Sequence, residues 1–165
     1  MTRSDDDIEV CLAENAGDLL RYFVRRVQQA EDAGDLLAET MIVAWRRSGR
    51  LPADEEGRRR WLFGIARNVL ANAERSMRRR YRLASRVRAL LRESETPPAD
   101  AGGEVRDAIA RLDPDLAEIV RLVHWEGFSL TEAAEIVGIP ASTARGRYQR
   151  AKENLREALG VAAKP

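Results

Sequence analysis

Apolar residues recur along the chain at spacings of three and four, the period of an α-helix with one buried face. Leu19, Leu20, Phe23, Val24 and Val27 form one such run. Leu36, Leu37, Thr40, Met41, Ala44 and Trp45 form the next, with Gly34-Asp35 as its expected opening. Residues 46–60 are polar and hold Gly49, Pro52 and Gly57, the composition of a loop. Trp61, Leu62, Ile65, Ala66, Val69, Leu70 and Ala73 then lay out the apolar face of a helix that runs on towards Arg80. No segment alternates with period two for long enough to predict a strand.

The pattern breaks at RESETPPADAGGE, residues 92–104, where Pro97-Pro98, Gly102-Gly103 and four acids predict a linker. Beyond it, Val105, Ala108, Ile109 and Leu112 predict a short helix stopped by Asp113-Pro114. Leu116, Ile119, Val120 and Val123 predict another, ending near Gly127. The expected fold is therefore all-α, with two small helical domains at 10–91 and 105–160 joined by the linker at 92–104. Each is close to the size at which a single core barely suffices, so docking onto a partner would help both.

The second domain carries the sharpest local signal. Ser129 and Glu132 are spaced as a capping box. Ala133, Ala134, Ile136 and Val137 predict a short helix, Gly138 permits a tight turn, and Ile139 is the expected buried anchor. Pro140 precedes a second helix from about Ala141 to Leu159, which completes a helix-turn-helix. Ala144, Tyr148, Ala151 and Leu155 share one sector of that helix. Ser142, Gly146, Gln149, Arg150 and Glu153 share the opposite one, flanked by Thr143 and Arg145. A polar face, basic near its start and small at Gly146, suits entry into a DNA major groove. Arg reads guanine bidentately and Gln reads adenine. An ordinary surface helix in an all-α bundle is the plainer alternative.

Charge sharpens this picture. The 165-residue chain has a formal net charge of only +1, yet the charge is segregated. Residues 58–92 carry 12 Arg and one acid, Glu74, and residues 141–165 carry 6 basic and 2 acidic side chains. The stretches before and between these blocks are acidic. Screening cuts a field off within about 8–10 Å, so each basic block acts locally and can hold a polyanion on a nearly neutral molecule. The first block also admits a plain solvated face.

Other chemistry has little material. One Cys (Cys11) and one His (His124) exclude an internal disulfide, a multi-Cys metal site and a Cys–His nucleophile pair. No metal or cofactor is expected, and no Gly-rich phosphate loop or pocketed pair of carboxylates is visible. Cys11 reads as an inert buried thiol, and His124 as a capping or packing residue. No apolar run reaches membrane-spanning length. The acidic start, with Asp5-Asp6-Asp7 expected as a solvated tail, lacks a signal-peptide core, so cytoplasmic residence is expected.

Three stretches, in order, resemble the extracytoplasmic-function (ECF, group IV) sigma factors of bacterial RNA polymerase, a branch of the sigma-70 family. DLLAETMIVAW at 35–45 is similar to the family's D-L-V-Q-E-T-F-L-x-A-W. WLFGIARN at 61–68 is similar to its W-L-x-x-I-A-x-N. GIPASTARGRYQRAK at 138–152 is similar to its G-I-P-x-G-T-V-K-S-R-x-x-R-A-R. The resemblance covers roughly 17–160.

It implies a non-enzymatic subunit that binds core polymerase at the β′ clamp helices and β flap and directs initiation at promoters with −10 and −35 elements. Asp35 and Glu39, one turn apart, would meet a basic partner on polymerase, with Leu36, Met41 and Trp45 in the core. Asn68, Asn72, Arg75 and Arg79 would meet the −10 element. Trp61 offers a stacking ring or a core side chain. Arg145, Gly146, Gln149 and Arg150 fall on the −35 base-contacting positions, with Thr143 and Arg147 suited to phosphate. Glu93, Glu95, Asp100 and Glu104 would thread the RNA exit path, their charge standing in for RNA. An anti-sigma factor is a further partner the family admits.

Four departures stand out: Ser142 for Gly, Ala144 for Val, Gly146 for Ser, and Asp54-Glu55-Glu56 in a loop without an aromatic. The last of these leaves the −10 base preference open. Two other readings remain at this point: a free-standing helix-turn-helix regulator, and an adaptor that holds polymerase without reading DNA.

Overall fold

The computed structural model describes residues 3–91 and 103–160, every regular element among them helical. Contacts divide the chain into two compact units, Met1–Pro98 and Ala99–Pro165. The linker acids Glu93, Glu95 and Asp100 lie outside the described residues.

The first unit packs α1 (Arg3–Val24), α2 (Ala30–Arg46) and the start of α3 (Glu55–Leu91) against one another. Ile8, Cys11, Leu12, Leu19, Tyr22 and Phe23 face inward from α1. Leu62, Phe63, Ile65, Ala66, Val69 and Leu70 meet them from α3. Tyr22 is the hub, with the rings of Phe23 and Phe63 edge-on to it at 5.2 and 5.4 Å.

Several expectations change here, each for a physical reason. Asp5-Asp6-Asp7 is not a tail but lies in the first turns of α1, where acidic residues suit the positive end of the helix dipole. The helix expected from Gly34 starts at Ala30, with Glu31 and Asp32 in its first turn. Leu20 and Val24 are exposed, being turned away from Leu19 and Phe23.

Trp45 and Met41 are not core residues either: Trp45 is exposed and Met41 half-buried. The buried sector of α2 holds Ala33, Leu36, Thr40 and Ala44. At 100° per residue Trp45 stands roughly 135° round from its centre. Thr40 survives in that sector because its hydroxyl donates to the Leu36 carbonyl at 2.7 Å.

The loop expected at 46–60 shrinks to a short 3-10 turn, Ser48–Arg50, and a few flanking residues. Asp54 explains why. Its carboxylate accepts from the Gly57 N–H at 2.7 Å, and its carbonyl from the Arg58 N–H at 3.0 Å, so it caps α3. Glu55 and Glu56 follow in the first turn, a favourable place for acids. A Cβ on Gly57 would sit 2.6 Å from that carboxylate and 3.0 Å from Pro52 Cβ, so the cap needs a glycine there.

The second unit contains α4 (Glu104–Ala110), α5 (Pro114–His124), α6 (Leu130–Val137) and α7 (Ala141–Ala158). Glu104, expected in the linker, is the first residue of α4. Asp113 caps α5, with Pro114 at the first helical position. Ile109, Leu112, Leu116, Ala117 and Val120 cluster around Ala151, and Trp125, Tyr148 and Leu155 pack at the edge.

The capping box on α6 is complete: Ser129 Oγ accepts from the Glu132 N–H, and Glu132 Oε2 accepts from the Ser129 N–H. Gly138 turns the chain at φ 77°, in the left-handed region. Ala133 and Ala134 are fully packed, which lets α6 and α7 approach closely. Ile139 is half-buried rather than a fully buried anchor.

Candidate nucleic-acid and polymerase interfaces

The turn at Gly138 sets the rotation of α7. Ala144 and Ala151 have no exposed surface, so they seat the helix on α5 and α6. Tyr148, between them, hydrogen-bonds through its hydroxyl to His124 Nε2 at 2.9 Å, and the two rings stack. His124 thus ties α5 to α7. With that seat fixed, Thr143, Arg145, Gly146, Gln149 and Arg150 are all exposed on the outward side. A Cβ on Gly146 would meet nothing within 4 Å. The glycine there leaves the face low without any demand from packing.

Arg147 stands apart from this group. It is half-buried, and its Nη2 lies 2.8 Å from Asp115 Oδ2 at the start of α5. Sequence spacing gave no sign of that partner, because Asp115 belongs to another helix.

In the first unit, Asn68, Asn72, Arg75 and Arg79 are exposed along one face of α3. The opposite face supplies Leu62, Ala66 and Leu70 to the core. Arg75 donates to Asn72 Oδ1, and also to the Ala71 carbonyl at 3.2 Å. Arg78 and Arg82 join Asn72, Arg75 and Arg79 around an open cleft of about 570 Å³. Sequence reasoning missed these two, although each stands three residues after an arginine already counted, Arg75 and Arg79. Trp61 is half-buried, between the two readings its position allowed.

On α2, Asp35, Ala38, Glu39, Ile42 and Trp45 are exposed in one stripe. Ile42 is 51% exposed and Trp45 46%, large apolar surfaces flanked by two carboxylates. An apolar strip with an acidic margin fits a partner that is apolar with a basic margin. The acids were legible in the sequence. The apolar part was not, because hydrophobic residues at helical spacing read first as core.

Cys11 is buried against the core. Burial pushes its thiol above the ordinary value, Arg58 pulls the other way, and Glu14 adds to the rise. A thiol held protonated is a poor nucleophile. Among the described residues no cluster of His, Cys, Asp and Glu is arranged to hold a metal ion. No helix among them is long and apolar enough to cross a membrane.

Comparison with known proteins agrees with this layout. Residues 12–82 match the sigma-70 region 2 family, and residues 102–155 match sigma-70, region 4. SigL of Mycobacterium tuberculosis, an ECF RNA polymerase sigma factor, is 30% identical over 155 residues, covering 90% of this chain and 88% of SigL. SigC of the same species, also an ECF RNA polymerase sigma factor, is 30% identical over 174 residues, covering 93% and 92%. Among solved structures, the sigma factor RpoE in complex with the anti-sigma factor NepR, from Bartonella quintana, superposes with a TM-score of 0.69. It is 27% identical and covers 95% of this chain and 99% of its own. With both sigma regions in order and a relative of this identity matched along nearly its whole length, the chain belongs to the ECF RNA polymerase sigma factors of the sigma-70 family.

Proposed function

We propose that the chain joins core RNA polymerase through α2 and reads promoter DNA through α3 and α7, opening the −10 region with binding energy rather than ATP. The observation that carries this is the outward face of α7, where Thr143, Arg145, Gly146, Gln149 and Arg150 are presented together by a helix-turn-helix. On this reading Arg145, Gln149 and Arg150 meet base edges of the −35 element, Gly146 lets the helix lie close, and Thr143 takes a phosphate. Asn68 and Asn72 meet bases of the −10 element, with Arg75 and Arg79 on its backbone. Residues 10–91 serve as region 2, 92–104 as an acidic spacer and 105–160 as region 4. The protein works where polymerase works, in the cytoplasm, and has no catalysis of its own. An anti-sigma factor, of the kind that RpoE binds, is a fitting negative regulator.

The test adds purified protein to core RNA polymerase on genomic promoter fragments and maps initiated transcripts. Transcripts that start at defined sites without another sigma factor support the reading. DNA binding indifferent to core polymerase would instead indicate a free-standing regulator, and polymerase binding without sequence preference an adaptor.

Two variants probe the assignments. Asp35→Lys puts a cation where a basic partner is met and should weaken core binding by about tenfold, near 1.4 kcal/mol. Trp45→Ala should weaken it as well, through lost apolar contact. Unchanged affinity for both in a core-binding titration would remove α2 from the docking surface.

Arg147 acts by fastening α7 to α5. Arg147→Ala and Asp115→Ala should produce the same small loss of promoter affinity, and the double variant no more than either alone. A fall of about one in the salt slope with Arg147→Ala alone would place Arg147 on a phosphate instead.

A further inference from the structure

Among the residues of α3 whose burial is described, the last in the core is Leu70, yet the helix continues to Leu91. Beyond Leu70, Arg75, Arg78, Arg79, Arg82 and Arg86 are exposed. At 100° per residue the five fall within a sector of roughly 100°. Asn68 falls inside the same sector and Asn72 at its edge, while Met77 and Tyr81 lie away from it. No acid lies within the sector: the single acid of residues 58–92, Glu74, stands about 40° outside it, one turn before Arg78. Arg78, Arg79, Arg82 and Arg86 form no ion pair among the described residues. A row of unpaired guanidiniums costs stability through mutual repulsion, so it calls for a polyanion.

The row is too long for the −10 bases alone. From Arg75 to Arg86 is eleven residues, or ~17 Å of helix, about five base pairs of duplex at 3.4 Å per step. The direction is also informative. The asparagines come first, the arginines follow, and the chain then leads towards the helix-turn-helix that reads the −35 element, upstream. We infer that Arg78, Arg82 and Arg86, at the far end of α3, bind the sugar–phosphate backbone of the double-stranded spacer just upstream of the −10 element, without regard to its sequence. This rests on the promoter reading above. It adds to it a second kind of contact, one that positions the duplex and reads no base. Arg suits the role because its planar fork bonds phosphate oxygens in pairs.

The test uses holoenzyme reconstituted with the full chain and a promoter fragment that this holoenzyme transcribes. Affinity is measured from 50 to 200 mM salt for wild type and for the variant Arg78→Ala/Arg82→Ala/Arg86→Ala. One fragment carries the natural duplex spacer. A second has the spacer sequence scrambled at constant length. A third ends its duplex at the upstream edge of the −10 element. Each phosphate contact contributes about 0.9 to the salt slope, so loss of three lowers it by about 2.7. The advantage of wild type over the variant should then shrink about 40-fold across that salt range. The natural and scrambled spacers should behave alike, and the truncated fragment should show no difference between the proteins. Arg→Lys at the same three positions should keep most of the slope.

Alanine is the best helix former, so the triple variant should retain its circular dichroism. An unchanged slope on the duplex spacer, an equal loss on the truncated fragment, or a loss that follows spacer sequence would each overturn the inference. Those results differ from failure of the promoter reading, in which the wild-type holoenzyme starts no transcripts at all.

Discussion

Arg150→Ala is expected to cut initiation at a promoter with a matched −35 element by one to two orders of magnitude. A bidentate guanidinium–guanine contact discriminates by roughly 1–3 kcal/mol. Arg150 is exposed on the outward side of α7, while Ala144 and Ala151 carry the packing, so the substitution leaves the seat of the helix intact. The measurement is run-off transcription from paired templates, one with the −35 element intact and one with it changed. Wild type should lose strongly on the changed template and the variant little, because the variant no longer reads what was altered. If both lose equally, Arg150 does not read the −35 element. Arg145→Ala should act in the same direction on neighbouring base pairs. Gly146→Ala, with open space around its Cβ, should stabilise α7 by up to ~1 kcal/mol.

The largest effect on stability should come from Phe63→Ala. Phe63 has no exposed surface, its ring meets Tyr22 edge-on, and the Arg59 guanidinium lies 4.9 Å from its centroid. Deleting such a ring costs about 3–5 kcal/mol. A small domain holds only about 5–15 kcal/mol in all. Chemical denaturation should therefore show the first unit's transition at much lower urea, or no folded baseline. Phe63→Leu should recover most of the loss. A cost below about 1 kcal/mol for the alanine variant would mean that this ring is not the keystone its contacts suggest.

Much of this was legible in the sequence, and the reasons are local. The helix-turn-helix could be read because its signals are short-range: Ser129 and Glu132 cap within four residues, and Gly138 needs a left-handed turn. The outward row of α7 followed from one period and a few small residues. What stayed hidden depends on more than one helix, or on which sector wins burial. Trp45 and Leu20 share the spacing of core residues and still face outward, since only the neighbouring helices decide which side is covered. Asp54-Glu55-Glu56 looked like a loop peculiarity and is a cap with two acids behind it. Arg147 looked like one more arginine on a basic helix, and its partner Asp115 is far away in sequence. Phe63 was absent from the apolar face counted for α3, because a ring just outside the main sector is still reached by Tyr22 from α1.

The far half of α3 has a consequence for motion. A helix without tertiary support is marginal in water at this length. Several of its arginines stand three or four residues apart, each such pair weakening the helix by roughly 0.2–0.5 kcal/mol. Its backbone amides should therefore exchange with deuterium far sooner than those around Leu62 and Ala66. A bound nucleic acid strand would remove the repulsion and slow that exchange, so the rod stiffens when it is occupied. Part of the affinity is then spent on ordering this segment, and a replacement that stiffens it beforehand would tighten the grip without adding a contact.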